Sequence, residues 1–327
     1  MKRKTRITAF ASVLRLLCLL LLAASTSASS TSASSSTGSK SDPHLESVNE
    51  IWAWVDSAED GFVTNKQSVS RMEAGNIDTP LMIVANQDIL EGELLVQTPW
   101  SHMLMSDDPD RDDRVGWYCG TAIKLAEEMT LGRDSFYGPY VQYIHDEPDG
   151  QLPTQYSRDA KKLLWDVIGS HPDEVNRSPF FDRKDAYRQR LMPDYLTEGL
   201  QNNWYSTCKG RRGDVVMAKA AAMVMQRADD DILIPAYDAY NHRNTDRFHG
   251  VGYMNARTVT THGQYHQTFA SRDIPSGEQI FISYNMCEQC GGRREYGFGT
   301  AEMYRDYGFV EWFPQRWYVC HSLCLVV

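Results

Sequence analysis

An α+β fold is predicted by two textures in the sequence. Strand-like runs stand at both ends of the body of the chain, and a block of about a hundred residues between them has helical periodicity. A third observation makes the fold feasible: 42% of the 327 residues are apolar and 11% aromatic, enough for a sizeable core.

The first residues read as targeting rather than fold. Lys2, Arg3, Lys4 and Arg6 form a basic head, residues 16–24 are a short apolar stretch, and the small residues of ASTSASS follow. This is the pattern of a signal peptide over residues 1–29, and the apolar stretch is short for a bilayer span. An uncleaved signal anchor is the alternative, disfavoured because Arg15 cuts the apolar run. The expected location is the secretory pathway, in the endoplasmic reticulum lumen or outside, with no stable membrane anchor after cleavage. Residues 30–44 are a Ser-rich linker, which also leaves import into an organelle open.

Cleavage removes five cations and no anions, taking the formal net charge from −10 to −15. No basic stripe remains to neutralise phosphates, which excludes a nucleic acid as the main partner and suits a protein with a basic segment. Of seven cysteines, Cys18 lies in the signal, and the other six are free to pair in an oxidising lumen. Asn176-Arg177-Ser178 is a glycosylation sequon, weakened by Pro179.

Leu45, Val48, Trp52 and Val55 recur at helical spacing and open the domain, residues 45–318, with an amphipathic helix. LMIVA and ELLVQTP then read as strands joined through a turn in DILEGE. SDDPDRDDR is a solvated charged loop. The helical insert runs from about 115 to 227. Ile123, Leu125, Ala126 and Met129 fit one helix, Leu163, Leu164, Val167 and Ile168 a second, and VVMAKAAAMVMQ a buried third that leads to Arg227. Beyond Ile232 come four strand-like runs, ILIPAYD, VGYMN, HQTFASRDI and EQIFISY. Residues 319–327 form a short cysteine-containing tail.

In ILIPAYDAYNHRNTD, polar Asn241 and His242 stand hard against an apolar run, where burial is costly unless something satisfies them. Taken alone they fit a hydrogen-bonded core pair best, with a metal or a ligand as the alternatives. His249 and Cys287 do not lie at metal-ligand spacing from His242, and His262 and His266, in strand texture, do not form a helical ligand pair. Cys287, Cys290, Cys320 and Cys324 fit free thiols or a disulfide better than zinc, so no metal is assigned.

Four fragments in order, LMIVANQDILEGELL, LIPAYDAYNH, DIPSGEQIFISYN and AEMYRDYGFVE, resemble the SET-domain methyltransferases. The resemblance is to the class of Rubisco large-subunit lysine methyltransferase and actin-histidine methyltransferase, in which a helical insert divides a β scaffold. It implies an S-adenosyl-L-methionine-dependent protein methyltransferase, acting on lysine or, less expectedly, histidine of a non-histone protein. Asn241 and His242 would bind the cofactor, Asp238 would brace that segment, and Arg227 would meet the methionine carboxylate. Tyr284 matches the catalytic tyrosine, and Tyr307, Gly308 and Phe309 match the segment that closes the cofactor site. These residues are expected to converge on one pocket. Two departures stand against the pattern. Pro80-Leu81-Met82 occupies the place of a Gly-x-Gly, and the class's C-terminal helical domain is not seen. A degenerate SET module that binds a partner without catalysis is therefore the competing reading.

Overall fold

A computed structural model describes residues 42–107, 118–148, 152–157, 159–160, 208, 213–229, 231–243, 254–284, 303–304 and 307–309. The expected helix near residue 164, the sequon and the four C-terminal cysteines lie outside these residues.

The first helix, α1 (Pro43–Asp56), starts two residues inside the expected linker, in the compact unit Asp42–Val327. Asp42 is its N-cap, accepting from the His44 backbone N–H, and Pro43 takes the first turn, where its missing N–H costs nothing. The same carboxylate pairs with Arg71 at 2.7 Å, which fastens α1 to the second strand. Val48, Ile51, Trp52 and Val55 fall on one face and enter the core.

A four-stranded antiparallel sheet has the order β1 (Phe62–Val63), β4 (Leu94–Pro99), β7 (Tyr265–Ala270), β6 (Ala256–Thr261). β2 (Gln67–Arg71) and β3 (Leu81–Ala85) form a separate hairpin. The strands read from LMIVA and ELLVQTP thus belong to different sheets. The intervening DILEGE segment passes along residue 274, where Ile89 and Ile274 exchange backbone hydrogen bonds. The third sheet is a parallel pair of two residues each, β5 (Asn241–His242) with β8 (Phe281–Ile282). Between residues 118 and 227 stand α2 (Cys119–Leu131), α3 (Gly138–Asp146) and α4 (Val215–Arg227). A disulfide joins Cys119, at the start of α2, to Cys208, across 89 positions of sequence.

ILIPAYD is not a strand. Leu233 makes an isolated bridge to Leu104, then Ala236 adopts a left-handed φ of 69° and the chain enters a 3-10 turn at Tyr237–Ala239. Ala236 carries a Cβ in that region, so the bend costs about 1 kcal/mol and must be held by its surroundings. It turns Asp238 away from the line of the run.

β7 buries polar side chains on its inner face. His266 and Thr268 are fully buried, the His266 ring packs against Tyr237 at 4.4 Å, and Nδ1 lies 2.9 Å from Thr260 Oγ1. Burial pushes the His266 imidazole down to about 4. The ring is therefore neutral in the fold, while an unfolded histidine takes up its proton near pH 6.5. Stability is unaffected by this group above pH 6.5 and falls as pH drops from there toward 4, by at most ~3 kcal/mol. Urea midpoints between pH 7 and pH 4.5 should fall less steeply for His266→Gln than for the natural chain. Parallel declines would show that His266 does not carry the effect.

Candidate active site

The parallel pairing of β5 with β8 sets Asn241 opposite Phe281 and His242 opposite Ile282. Asn241 Nδ2 donates to the Leu81 carbonyl at 2.7 Å, so its amide ties β5 to the first residue of β3. Odd residues of β3 direct their backbone away from β2. Ala85 N donates to Glu278, Ile83 accepts from Ile280, and Leu81 accepts from Asn241. Pro80-Leu81-Met82 is accommodated within this hairpin, where Met72 N donates to the Pro80 carbonyl at 3.0 Å. Proline offers no N–H in return, and a bulky residue follows where a Gly-x-Gly would bring bare backbone.

His242 Nδ1 accepts the Tyr284 backbone N–H at 2.9 Å. A neutral imidazole in this position carries its proton on Nε2. Tyr284 donates its hydroxyl proton to the Tyr240 carbonyl at 2.7 Å, leaving the oxygen lone pairs to accept. Burial raises the Tyr284 phenol above its usual value near 10, so the group is neutral at physiological pH. Tyr240 is itself fully buried and donates to Gln67 Oε1 at 2.7 Å, which fixes the carbonyl that holds Tyr284. Aromatic rings surround this point. His242 lies 5.1 Å from Tyr284 and 5.9 Å from Phe309, Tyr307 lies 4.9 Å from Tyr284, and Phe309 lies 6.3 Å from it. Gly308 has φ of 78°, a conformation that lets the chain turn sharply between Tyr307 and Phe309.

The polar end is built by the helical insert. Arg227, the last residue of α4, donates from Nη1 to the Tyr143 hydroxyl (2.9 Å) and to Asp238 Oδ2 (3.3 Å), and from Nη2 to Glu147 Oε1 (3.0 Å). Asp238 Oδ2 also accepts the Tyr140 hydroxyl at 2.8 Å. Lys219 in α4 donates to the His145 and Glu147 carbonyls, closing the C-terminal end of α3 and fixing Glu147. Burial works against the charge on Arg227, but Tyr143, Glu147 and Asp238 outweigh it, so the guanidinium stays protonated. Sequence reading missed Tyr140, Tyr143 and Glu147; the two tyrosines, three apart, lie on the buried face of α3, and Glu147 follows its last residue in extended backbone.

All eight residues singled out from the sequence, Arg227, Asp238, Asn241, His242, Tyr284, Tyr307, Gly308 and Phe309, line one cavity of about 1230 Å³. A typical small-molecule site has roughly 300–1,000 Å³, so there is room for a nucleoside-sized ligand and a second reactant. Among the described residues the wall carries six carboxylates and three arginines, a balance that favours cationic occupants. One face is aromatic, and the other end is this ion-paired cluster.

A family model of the SET domain matches residues 81–285. The chain belongs to the SET domain family. Solved structures are similar to it. Rubisco LSMT bound to AdoMet aligns with a TM-score of 0.52 and 17% identity, over 81% of this chain and 56% of that one. The SET domain of LSMT bound to lysine and AdoHcy aligns at 0.49 and 17%, over 81% and 57%. Rubisco LSMT bound to sinefungin and monomethyllysine aligns at 0.48 and 18%, over 81% and 56%. The chain spans little more than half the length of these solved chains. No curated protein matches the sequence. The α+β architecture of short strands with helices between them is that of the SET fold.

Proposed function

We propose that the chain is an S-adenosylmethionine-dependent protein methyltransferase acting on a lysine, or failing that a histidine, in a basic segment of a non-histone protein. One observation carries the reading: Asn241, His242, Tyr284 and Phe309, far apart in sequence, meet on the wall of a single cavity. The cofactor, when bound, supplies an electrophilic methyl group on a sulfonium. Its fit to the residues present rests on the aromatic face, the acid-rich wall and two buried polar atoms there, Arg227 Nε and Asp238 Oδ1, that lack a partner among the described residues. Asn241, His242 and the 307–309 segment would hold the nucleoside, and Arg227 the amino-acid end.

Tyr284 would then orient the attacking amine. Its hydroxyl proton is committed to the Tyr240 carbonyl, so toward a substrate the oxygen acts as acceptor, and its neutral state keeps it from competing as a nucleophile. The buried aromatic surroundings exclude water and disfavour the charged form of an amine, which helps it shed its proton. Incubating the chain with methyl-labelled cofactor and basic peptides should transfer label to lysine, recovered as methyllysine after hydrolysis. Label on histidine would shift the substrate class. Cofactor binding without any transfer would favour the degenerate SET module, for which Pro80 in place of a backbone donor is the motive.

We further propose that the chain works in an oxidising compartment reached through its N-terminal segment. The Cys119–Cys208 disulfide supports this, since such bonds persist outside the cytosol. A fluorescent fusion to residues 1–45 should enter the endoplasmic reticulum. A diffuse cytosolic and nuclear signal would reverse the assignment.

A further inference from the structure

The first turn of α2 holds the chain on both sides of α4. Cys119, its first residue, is disulfide-bonded to Cys208, shortly before Asp214, the N-cap of α4. Thr121, in the same turn, donates its hydroxyl to the Asp231 carbonyl in the turn that leaves α4. That exit turn is closed by Asp229 and Ile232, which exchange backbone hydrogen bonds at 2.9 and 3.1 Å. Cys119, Thr121 and Cys208 are at most 2% exposed, so both attachments are buried. Between them α4 packs along α2, with Ala122 and Leu125 in one core with Ala220, Ala221 and Val224. Alanine-rich faces interlock shallowly and fix sliding along the helix axis weakly. The axial position matters, because α4 ends at Arg227, and Arg227, Ala228 and Asp229 all line the cavity. Arg227 must meet Tyr143 and Glu147 from one element and Asp238 from another. A single hydrogen bond at the exit is a weak hold, and the covalent bond at the entrance is the strong one.

We infer that the Cys119–Cys208 bond is a redox clasp on the cavity. Closed, it seats α4 so that the wall at Arg227 is complete. Opened, it releases that wall while the β scaffold stays folded, since β4 and β7 are held by their own ladder. Opening takes two electrons and two protons from a dithiol: the S–S bond breaks, two thiols form, and the reductant leaves as its own disulfide. Closing reverses the exchange against a disulfide such as oxidised glutathione. Both cysteines are buried, so exchange waits on local opening of the turn. The cavity is therefore incomplete where thiols are kept reduced, and is completed in an oxidising compartment. The consequence for ligand binding rests on the cofactor reading above, whereas the clasp itself does not.

The test compares amide hydrogen exchange of the full chain, without ligand, before and after dithiothreitol, with alkylation to confirm that Cys119 and Cys208 have become thiols. Amides of α4 and of the 228–232 turn should exchange at least about tenfold faster in the reduced chain, and those of β4 and β7 should not change. Titration with S-adenosylhomocysteine should then be at least about tenfold weaker, because the competent wall is populated less, and oxidised glutathione should restore it. A Cys119→Ser/Cys208→Ser double variant should match the reduced chain and ignore both reagents. Unchanged exchange in α4, or protection lost from the sheet as well, would overturn the inference. So would equal affinity in the two redox states, or a double variant that still responds to dithiothreitol. The expected exchange pattern with no binding in either state would remove the cofactor reading and leave the clasp standing.

Discussion

Replacing Arg227 with methionine will destabilise the fold by about 3–5 kcal/mol, the usual cost of removing one partner from a buried ion pair. The guanidinium is the common partner of Glu147, Asp238 and the Tyr143 hydroxyl, and the Asp238 and Glu147 side chains are 2% and 12% exposed. Its loss strands two carboxylates that water reaches poorly. Methionine fills similar volume, so the effect reads the charge rather than a cavity. Urea denaturation should show a lowered midpoint with an unchanged slope. Adding Glu147→Gln should recover part of the loss, because one of the stranded charges is then gone. A loss below about 1 kcal/mol would mean that the cluster is screened like a surface pair and does not organise the polar end of the cavity.

The second large effect concerns rate. Tyr284→Phe should lower methyl transfer about 100-fold, the scale on which losing the alignment of a reactant acts, with cofactor affinity changed less than about threefold. The phenol contributes two things. In the proposed reaction its oxygen accepts from the attacking amine, and in the fold its proton satisfies the buried Tyr240 carbonyl. Phenylalanine removes both, so a stability loss of about 1–3 kcal/mol should accompany the lost turnover. Thermal unfolding of the variant separates the two contributions. Single-turnover rates equal to those of the natural chain would refute the role of Tyr284.

The sequence revealed most where burial repeats with a period. α1 and α4 were legible because Val48, Ile51, Trp52 and Val55, and Met217, Ala220, Ala221 and Val224, fall on buried faces. The helix start was misplaced by two residues because Asp42-Pro43 reads as linker until Arg71, far along the chain, is known to need that carboxylate. β2 went unread because QSVSR is mostly polar, and its pairing with β3 rather than any apolar pattern makes it a strand. ILIPAYD was misread for the opposite reason. Its apolar run is real, but Ala236 breaks the extended backbone to form the turn that delivers Asp238.

At the site, the residues on motifs were legible and their partners were not. Asn241, His242, Tyr284 and the 307–309 segment stand in recognisable fragments, and the structure sets them around one cavity. Tyr140 and Tyr143 sit on the buried face of α3 and Glu147 just past its end, and only tertiary contact makes their hydroxyls and carboxylate partners of Asp238 and Arg227. The left-handed Gly308 could be anticipated from its place between two aromatics. The Tyr284–Tyr240 bond could not, because a backbone carbonyl leaves no mark in sequence.

Titration calorimetry of the full chain with S-adenosylmethionine tests the central claim most directly. A saturable one-to-one isotherm is predicted, and Asn241→Ala should weaken it about tenfold, because Asn241 ties the cofactor wall to β3 through Leu81. The absence of heat at saturating cofactor, from a chain shown to be folded, would contradict the assignment of this cavity.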